Sequence, residues 1–182
     1  MSDLDLAREA LHRLVVDVPD FPEPGVVFKD ITPVLDDGAA LRAIVRGLAS
    51  AGRDAAGATV VERVVGMESR GFILGTGVAL ELGVGFVPVR KAGKLPRETH
   101  AVTYDLEYGT ATLEIHQDAL KPGDRVLVVD DVLATGGTLD ATRQLIESCG
   151  AVVHGVAMLM ELTFLPGREA AGDLPLVVLM QV

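Results

Sequence analysis

The chain has 182 residues, a formal net charge of −10 and a hydrophobic content of 49%. This composition excludes extensive disorder, and the acidic balance argues against a nucleic-acid partner. No apolar run has the length of a membrane span, the start of the chain lacks a secretory n-region, and the lone Cys149 has no partner for an internal disulfide, so we expect one cytoplasmic domain.

Apolar spacing predicts helices and strands that alternate along the chain. In chain order, the predicted elements are a helix at 4–15, a proline-rich break at 19–24, a helix from 41 that ends near 52, a strand at 60–65, a helix that ends near 82, strands at 84–89, 110–116 and 126–129, a helix at 139–149, and strands at 152–159 and 176–179. Residues 91–110 are polar with few apolar anchors, and no element is assigned to most of them. Strands separated by helices require crossovers, so we predict an α/β fold with a mostly parallel central sheet flanked by helices.

The segment from Val126 to Thr138 carries the clearest chemical signal in the sequence. Val126–Val129 predicts a buried parallel strand, and Asp130 and Asp131 stand at its carboxyl end, where open α/β sheets bind ligands. The Gly/Thr loop Ala134–Thr138 opens a helix, and the backbone N–H groups at such a start bind phosphate. Because carboxylates suit ribose hydroxyls or Mg²⁺, the segment predicts a site for a phosphorylated sugar.

Two other phosphate-binding motifs are excluded by the residues that they lack. A Walker A loop needs a lysine after its glycines, and no lysine follows Lys121 in the chain. A dinucleotide fingerprint needs a third glycine, whereas Leu80 stands at that position after Gly75 and Gly77. A strand–turn–helix without a ligand is disfavoured, because two carboxylates at a buried strand end would repel each other.

Residues 70–97 form a basic island in an otherwise acidic chain. Five cations stand there against one acid: Arg70, Arg90, Lys91, Lys94 and Arg97. A solvated basic surface is one interpretation of this island. A binding site for pyrophosphate, which needs local positive charge, is the other, and the phosphate-binding motif in the same chain favours it.

The segment 126–138 resembles the 5-phosphoribosyl 1-pyrophosphate (PRPP) signature of the type I phosphoribosyltransferases. Three further segments are similar to the adenine phosphoribosyltransferase family: Phe21–Pro33 to its N-terminal hood, Glu68–Phe72 to its pyrophosphate loop, and Arg90–Pro96 with Tyr104–Gly109 to its mobile catalytic loop. The four motifs stand in family order from about residue 20 to Arg168. The resemblance implies a single type I phosphoribosyltransferase domain (1–182), with an N-terminal helix and base-binding hood at 1–33 and an α/β core at 34–182.

The same resemblance implies an activity and a role for each motif residue. The enzyme would transfer the 5-phosphoribosyl group from PRPP to N9 of adenine, giving AMP and pyrophosphate in purine salvage, as a homodimer with the loop around Arg90 near the interface. Asp130 and Asp131 would bind the ribose; Ala134, Thr135, Gly136, Gly137 and Thr138 the 5′-phosphate; Glu68, Ser69, Arg70, Lys91 and Lys94 the pyrophosphate; and Val27, Phe28, Lys29 and Leu133 the adenine. Glu107, Arg70 and Lys91 would be catalytic, Tyr108 would close the lid, and the Glu68–Ser69 peptide would be cis. Mg²⁺ would be the cofactor, held mainly by substrate, with Asp130 and Asp131 as its candidate protein ligands.

Residues 134 and 29 bear on which base the site would take. Phosphoribosyltransferases for 6-oxopurines usually carry Asp where this chain has Ala134, whose side chain accepts no hydrogen bond, so adenine is favoured. Lys29 stands where the family often has Arg, and its role stays open because lysine lacks the planar fork. A xanthine or 6-oxopurine phosphoribosyltransferase and a non-catalytic PRPP-binding regulator remain as alternatives.

Overall fold

The computed structural model describes residues 2–105 and 109–182. The helices are α1 (Asp3–Leu14), α2 (Thr32–Asp36), α3 (Gly38–Ala49), α4 (Arg70–Leu82), α5 (Gly137–Ser148) and α6 (Gly167–Ala171). The strands are β1 (Val16–Pro19), β2 (Val27–Asp30), β3 (Arg63–Met67), β4 (Gly85–Lys91), β5 (Thr99–Asp105), β6 (Thr110–His116), β7 (Arg125–Leu133), β8 (Val152–Glu161) and β9 (Leu176–Gln181). No helix in these two ranges has the length and apolarity needed to cross a membrane.

A seven-stranded sheet in the order β5-β6-β4-β3-β7-β8-β9 forms the centre of the protein. Within this order, the five neighbouring strands β4, β3, β7, β8 and β9 pair in parallel. β6 pairs antiparallel with both β4 and β5. The predicted α/β architecture with a mostly parallel sheet is therefore confirmed. β5 lies within residues 91–110, for most of which no element was predicted. The missing strand was an error, because pairing with β6 makes this segment a strand despite its polar sequence.

Helices cover both faces of the sheet, and the alternation of side chains along β7 separates two apolar layers. Leu127 and Val129 pack with α1, α3 and α4 on one face, and Val126 and Val128 pack with α5 on the other. Since β7 is covered on both faces, its apolar run is fully buried, and its functional side chains lie only at its carboxyl end.

A separate two-stranded antiparallel sheet, β1 with β2, lies between α1 and α2 in the chain. The proline-rich break was predicted correctly between the two strands, but the strands themselves were not predicted. Each is four residues long and contains no fully buried residue, so neither shows a clear apolar alternation. Phe28 of β2 contacts Arg70 at the start of α4, and this contact brings β2 next to the carboxyl edge of the main sheet.

Candidate active site

The carboxyl ends of β3 and β7 bring predicted carboxylates and cations together, because the two strands are parallel neighbours. Asp130 and Asp131 lie near the end of β7, with exposed fractions of 8% and 7%. The first turn of α4 packs directly against them, since a Cβ atom on Gly71 would stand 2.7 Å from Asp130 Oδ1. Glycine is therefore required at this close approach, and α4 delivers Arg70 to the carboxylate pair.

Arg70 compensates the charge of the carboxylate pair on one side only. Its Nε atom lies 2.7 Å from Asp131 Oδ2, an ion pair whose alignment falls short of a hydrogen bond. Burial, followed by the adjacent charge of Asp131, raises the pKa of Asp130 well above the usual range of an aspartate. Asp130 thus retains its proton to a higher pH than an ordinary aspartate does, and a bound cation or hydroxyl donor would favour its ionised form.

The loop after β7 has the geometry of an anion site. Gly136 adopts a φ of +90° and provides no side-chain cap for α5, so the first backbone N–H groups of that helix stay available. The short helix α6 supports the loop from behind. A Cβ atom on Gly167 would collide with the carbonyl oxygen of Ala134, and one on Gly136 would stand 2.5 Å from Ala170 Cβ.

A small cavity of about 60 Å³ lies between Asp130 and this loop. Six of the predicted residues line it: Asp130, Leu133, Ala134, Thr135, Gly136 and Thr138. A larger groove of about 530 Å³ runs along the edge strand β9, but none of the predicted site residues lines it. The chemistry of the side chains, rather than the volume of the groove, therefore locates the site.

Tyr104 stands in the segment that resembles the mobile catalytic loop, but no individual role in the site was predicted for it. Its hydroxyl lies 3.0 Å from Thr138 Oγ1, and its ring packs closely over Gly137, so β5 rests on the phosphate loop. The contact joins residues 34 positions apart. No local spacing indicates it, because it depends on the unpredicted pairing of β5 with β6.

The segment between β3 and α4 gathers part of the basic island. The Glu68–Ser69 peptide is cis, as the resemblance implies. The Glu68 carboxylate accepts hydrogen bonds from Lys94 Nζ at 2.6 Å and from the Lys91 backbone N–H at 3.0 Å, and the bond from Lys94 lowers the pKa of Glu68. Arg97 lies outside this cluster, since it pairs with Asp118 on the exposed surface.

The hood approaches the same edge through aromatic contacts. Phe28 packs edge-to-face on Phe21 with ring centroids 5.2 Å apart, and the Arg70 guanidinium lies 5.4 Å from the Phe28 ring centroid. Arg70 therefore contacts both the hood and the carboxylate pair. Val27 is half exposed beside Phe28, whereas Leu133 is buried in the core next to Gly167.

Lys29 is bound within the hood itself. Its Nζ lies 2.7 and 2.8 Å from the two carboxylate oxygens of Asp17, the residue directly opposite it in the β1–β2 pair. The lysine is mostly buried, while Asp17 is exposed. In this arrangement the ammonium joins the two hood strands.

Two predicted residues, Glu107 and Tyr108, lie outside the described residues, between Asp105 and Gly109. Among the residues described on either side of them, no cluster of three or more His, Cys, Asp or Glu side chains suits a metal ion. The paired carboxylates of Asp130 and Asp131 do fit Mg²⁺, which takes hard oxygen ligands and keeps several waters.

Comparisons with known proteins agree with this geometry. A family model for the phosphoribosyl transferase domain matches residues 33–165. The chain is 71% identical to an adenine phosphoribosyltransferase from Nocardioides sp., over 93% of this chain and 91% of that relative. The solved adenine phosphoribosyltransferase from Rhodothermus marinus is 50% identical with a TM-score of 0.89, over 98% of this chain and 99% of that one. The enzyme from Saccharomyces cerevisiae, solved with adenine and D-2,5-dideoxy-2,5-imino-altritol 1,6-bisphosphate, is 38% identical with a TM-score of 0.89, over 96% and 98%.

Proposed function

The chain belongs to the adenine phosphoribosyltransferase family, and from that premise we propose how its residues perform the family's reaction. It is a transferase with the type I phosphoribosyltransferase fold that moves the 5-phosphoribosyl group from PRPP to N9 of adenine, giving AMP and pyrophosphate. The observation that carries this conclusion is the meeting, at one sheet edge, of the buried Asp130–Asp131 pair, the uncapped start of α5 and Arg70.

The reaction exchanges one bond at C1′ of the ribose for another. Adenine N9 attacks C1′ while the bond from C1′ to the pyrophosphate oxygen breaks, so positive charge grows on the ring and negative charge on the leaving group. The contribution of the protein is therefore mainly positioning and electrostatic stabilisation.

The end of β7 and the start of α5 are the proposed site for the ribose 5-phosphate part of PRPP. Asp130 and Asp131 accept hydrogen bonds from the ribose hydroxyls. The 5′-phosphate binds to the loop Ala134–Thr138, through the backbone N–H groups and the hydroxyls of Thr135 and Thr138. The support is the close packing of this loop on α6, which holds the N–H groups in place before substrate arrives.

The basic residues that follow β3 and β4 are the proposed site for pyrophosphate. Arg70 and Lys91 bind the departing group, Lys94 assists, and the backbone N–H groups of Glu68 and Ser69 add donors. Lys91 is exposed, and within the described ranges its ammonium makes no ion pair, so it is free to bind an anion.

The hood is the proposed site for adenine. The backbone of Val27 bonds the edge of the base, Phe28 contributes apolar surface beside it, and Leu133 lies behind the pocket. Lys29 contributes indirectly, because its pairing with Asp17 fixes β2 against β1. Ala134 offers no side-chain acceptor for a 6-oxopurine, which favours adenine.

Mg²⁺ is the proposed cofactor, with Asp130 and Asp131 as its candidate protein ligands and substrate oxygens as the rest. When bound, the ion neutralises part of the pyrophosphate charge and so assists its departure. Glu107 is the proposed group that receives the N9 proton or supports the developing ring charge, and Tyr108 the residue that closes the lid.

We also propose how the chain is organised. Residues 1–33 would act as helix and base-binding hood, and residues 34–182 as the core of one domain that works in the cytoplasm. A homodimer is supported by two apolar side chains on one exposed face of α4, Ile73 and Leu80, whose exposed fractions are 49% and 77%.

Initial rates of pyrophosphate release from PRPP and Mg²⁺ test the function directly. We expect turnover with adenine, none with hypoxanthine, guanine or xanthine, and loss of turnover on chelation with EDTA. Turnover of a 6-oxopurine would contradict the argument from the hood and Ala134 while leaving the PRPP site intact. Binding of PRPP without turnover of any base would favour a regulator.

A further inference from the structure

Glu68 holds the turn after β4 together through its carboxylate, whose side chain is only 12% exposed. Oε1 accepts a hydrogen bond from Lys94 Nζ at 2.6 Å, and Oε2 accepts one from the Lys91 backbone N–H at 3.0 Å. Arg90 Nε lies 3.5 Å from Oε2 and has no hydrogen-bond partner in the described ranges, so this third contact is ionic only. One carboxylate therefore engages two cationic side chains of the island, Arg90 and Lys94, and the backbone of a third cationic residue, Lys91.

These are contacts that an anionic ligand would otherwise make. Lys94 is a proposed pyrophosphate residue, and a carboxylate offers it the same kind of charged oxygen acceptor as a phosphate does. The hydrogen bond from Lys94 also lowers the pKa of Glu68, so the carboxylate is ionised at neutral pH. The ammonium is half exposed, which leaves it free to move to another partner.

We propose that Glu68 is an internal counter-ion, which Lys94 leaves when the pyrophosphate group binds and rejoins when pyrophosphate departs. The inference rests on the proposed function, because it requires Lys94 to reach pyrophosphate. Glu68 is then a positioning residue that lowers the affinity of the basic island for the product pyrophosphate. An island without this competitor would bind pyrophosphate more tightly and release it more slowly.

The opposite side of the same turn provides a matched control. Glu114 Oε2 accepts a hydrogen bond from the Gly93 backbone N–H at 3.0 Å, so it also ties this turn to the sheet. In the described ranges Glu114 makes no ion pair with a lysine or arginine. Glu114→Gln therefore removes a carboxylate from the turn without releasing a cation.

The experiment measures the inhibition constant of pyrophosphate against PRPP, with adenine and Mg²⁺ at fixed concentrations. We compare the wild type with Glu68→Gln, Glu114→Gln, Lys94→Gln and the double variant E68Q/K94Q. We expect Glu68→Gln to lower the constant about three- to fivefold, the range for freeing a partly exposed ion pair. Glu114→Gln should leave it unchanged, and the effect of Glu68→Gln should largely vanish in the Lys94→Gln background.

Three results would overturn the proposal. A weaker or unchanged affinity for pyrophosphate in Glu68→Gln would indicate a structural role alone. Equal tightening in the Lys94→Gln background would mean that Glu68 only repels the ligand, and equal tightening in Glu114→Gln would mean a general charge effect. Titration calorimetry with PRPP and Mg²⁺ gives the same comparison for any variant with too little turnover. Failure of the wild type to turn over adenine would instead contradict the proposed function.

Discussion

In the proposed site, Asp130 is the residue at which substrate binding and folding stability oppose each other. Burial and the charge of Asp131 raise its pKa in the folded protein above the value of about 3.9 expected in the unfolded chain. Between those two values the folded state binds more protons than the unfolded state, so stability falls as pH rises through that interval. Above it, the ionised carboxylate destabilises the protein, and it is also the form that the proposed binding of ribose hydroxyls and Mg²⁺ requires.

Replacing this carboxylate with a neutral isostere should separate the two effects. We expect Asp130→Asn to raise the Tm at pH 8 by a few degrees, where each kcal/mol is about 2–4 °C in a protein of this length. The gain should shrink as pH falls towards about 4, because the carboxyl of the folded wild type is then protonated and no longer buries a charge. The value of kcat/KM for PRPP should fall about tenfold to a hundredfold, the loss of a hydrogen bond to a charged group. Thermal unfolding across pH and steady-state kinetics provide the measurements.

Asp131→Asn is the matched comparison for Asp130→Asn, because it neutralises the other carboxylate of the pair. Its gain in Tm should be smaller or absent, because the substitution also removes the ion pair with Arg70. A lower Tm for Asp130→Asn at pH 8, or a gain independent of pH, would show that the buried carboxylate does not oppose folding.

At the scale of elements, α6 determines the shape of the phosphate loop although it follows that loop by about 30 residues. Its Gly167 touches the backbone of Ala134, and its Arg168 is fixed by a bidentate pair with the buried Glu161 at the end of β8. Gln181 at the end of β9 bonds the same carboxylate at 2.9 Å. The helix is therefore anchored to two strands before it meets the loop.

A single methyl group added at the contact between α6 and the loop Ala134–Thr138 should weaken PRPP binding by shifting that loop. Gly167→Ala places a Cβ against the carbonyl oxygen of Ala134, a backbone atom that cannot move aside without shifting the loop. We expect the free energy of unfolding to fall by about 1–3 kcal/mol. The KM for PRPP should rise about tenfold or more, with a much smaller change in the KM for adenine.

Gly38→Ala is the control, since a Cβ there meets nothing within 4 Å at the start of α3. It should stabilise the protein slightly, by about 0.4–1 kcal/mol, without affecting either KM. Equal changes in both KM values for Gly167→Ala would mean general loosening rather than a specific support of the phosphate loop.

The sequence predicted those parts of the site that are continuous along the chain. The strand, the carboxylates and the Gly/Thr loop of 126–138 lie within thirteen residues, so composition and spacing were enough to locate them. Other parts of the site depend on packing between residues far apart in the chain, which the apolar periodicity of a single element does not reveal. These are the support of the loop by Gly167, its cover by Tyr104, and the pairing of Glu68 with Lys94. The same holds for β5, whose polar residues form a strand only because β6 offers a partner.

At the scale of the whole molecule, the exposed face of α4 links the site to the proposed homodimer. Ile73 and Leu80 are two turns apart on the helix whose first turn carries Arg70 and Gly71. In the proposed homodimer, a second copy of the chain would cover this apolar pair. The partner would then rest on the helix that delivers Arg70 to the carboxylates.

Introducing a charge on this face should separate the subunits. We expect light scattering to give the wild type twice its chain mass of 19.1 kDa. Leu80→Glu should raise the dissociation constant of the dimer at least about 100-fold, because an unpaired charge would be buried in the contact. Its specific activity should fall on dilution, since Arg90 and its loop are expected near the interface. Val152→Glu, at an exposed apolar residue at the start of β8, is the control and should leave both mass and activity unchanged.

A Leu80→Glu protein that stays dimeric at nanomolar concentration would show that the interface does not include this face of α4. A wild-type monomer with full activity would show that each chain carries a complete site.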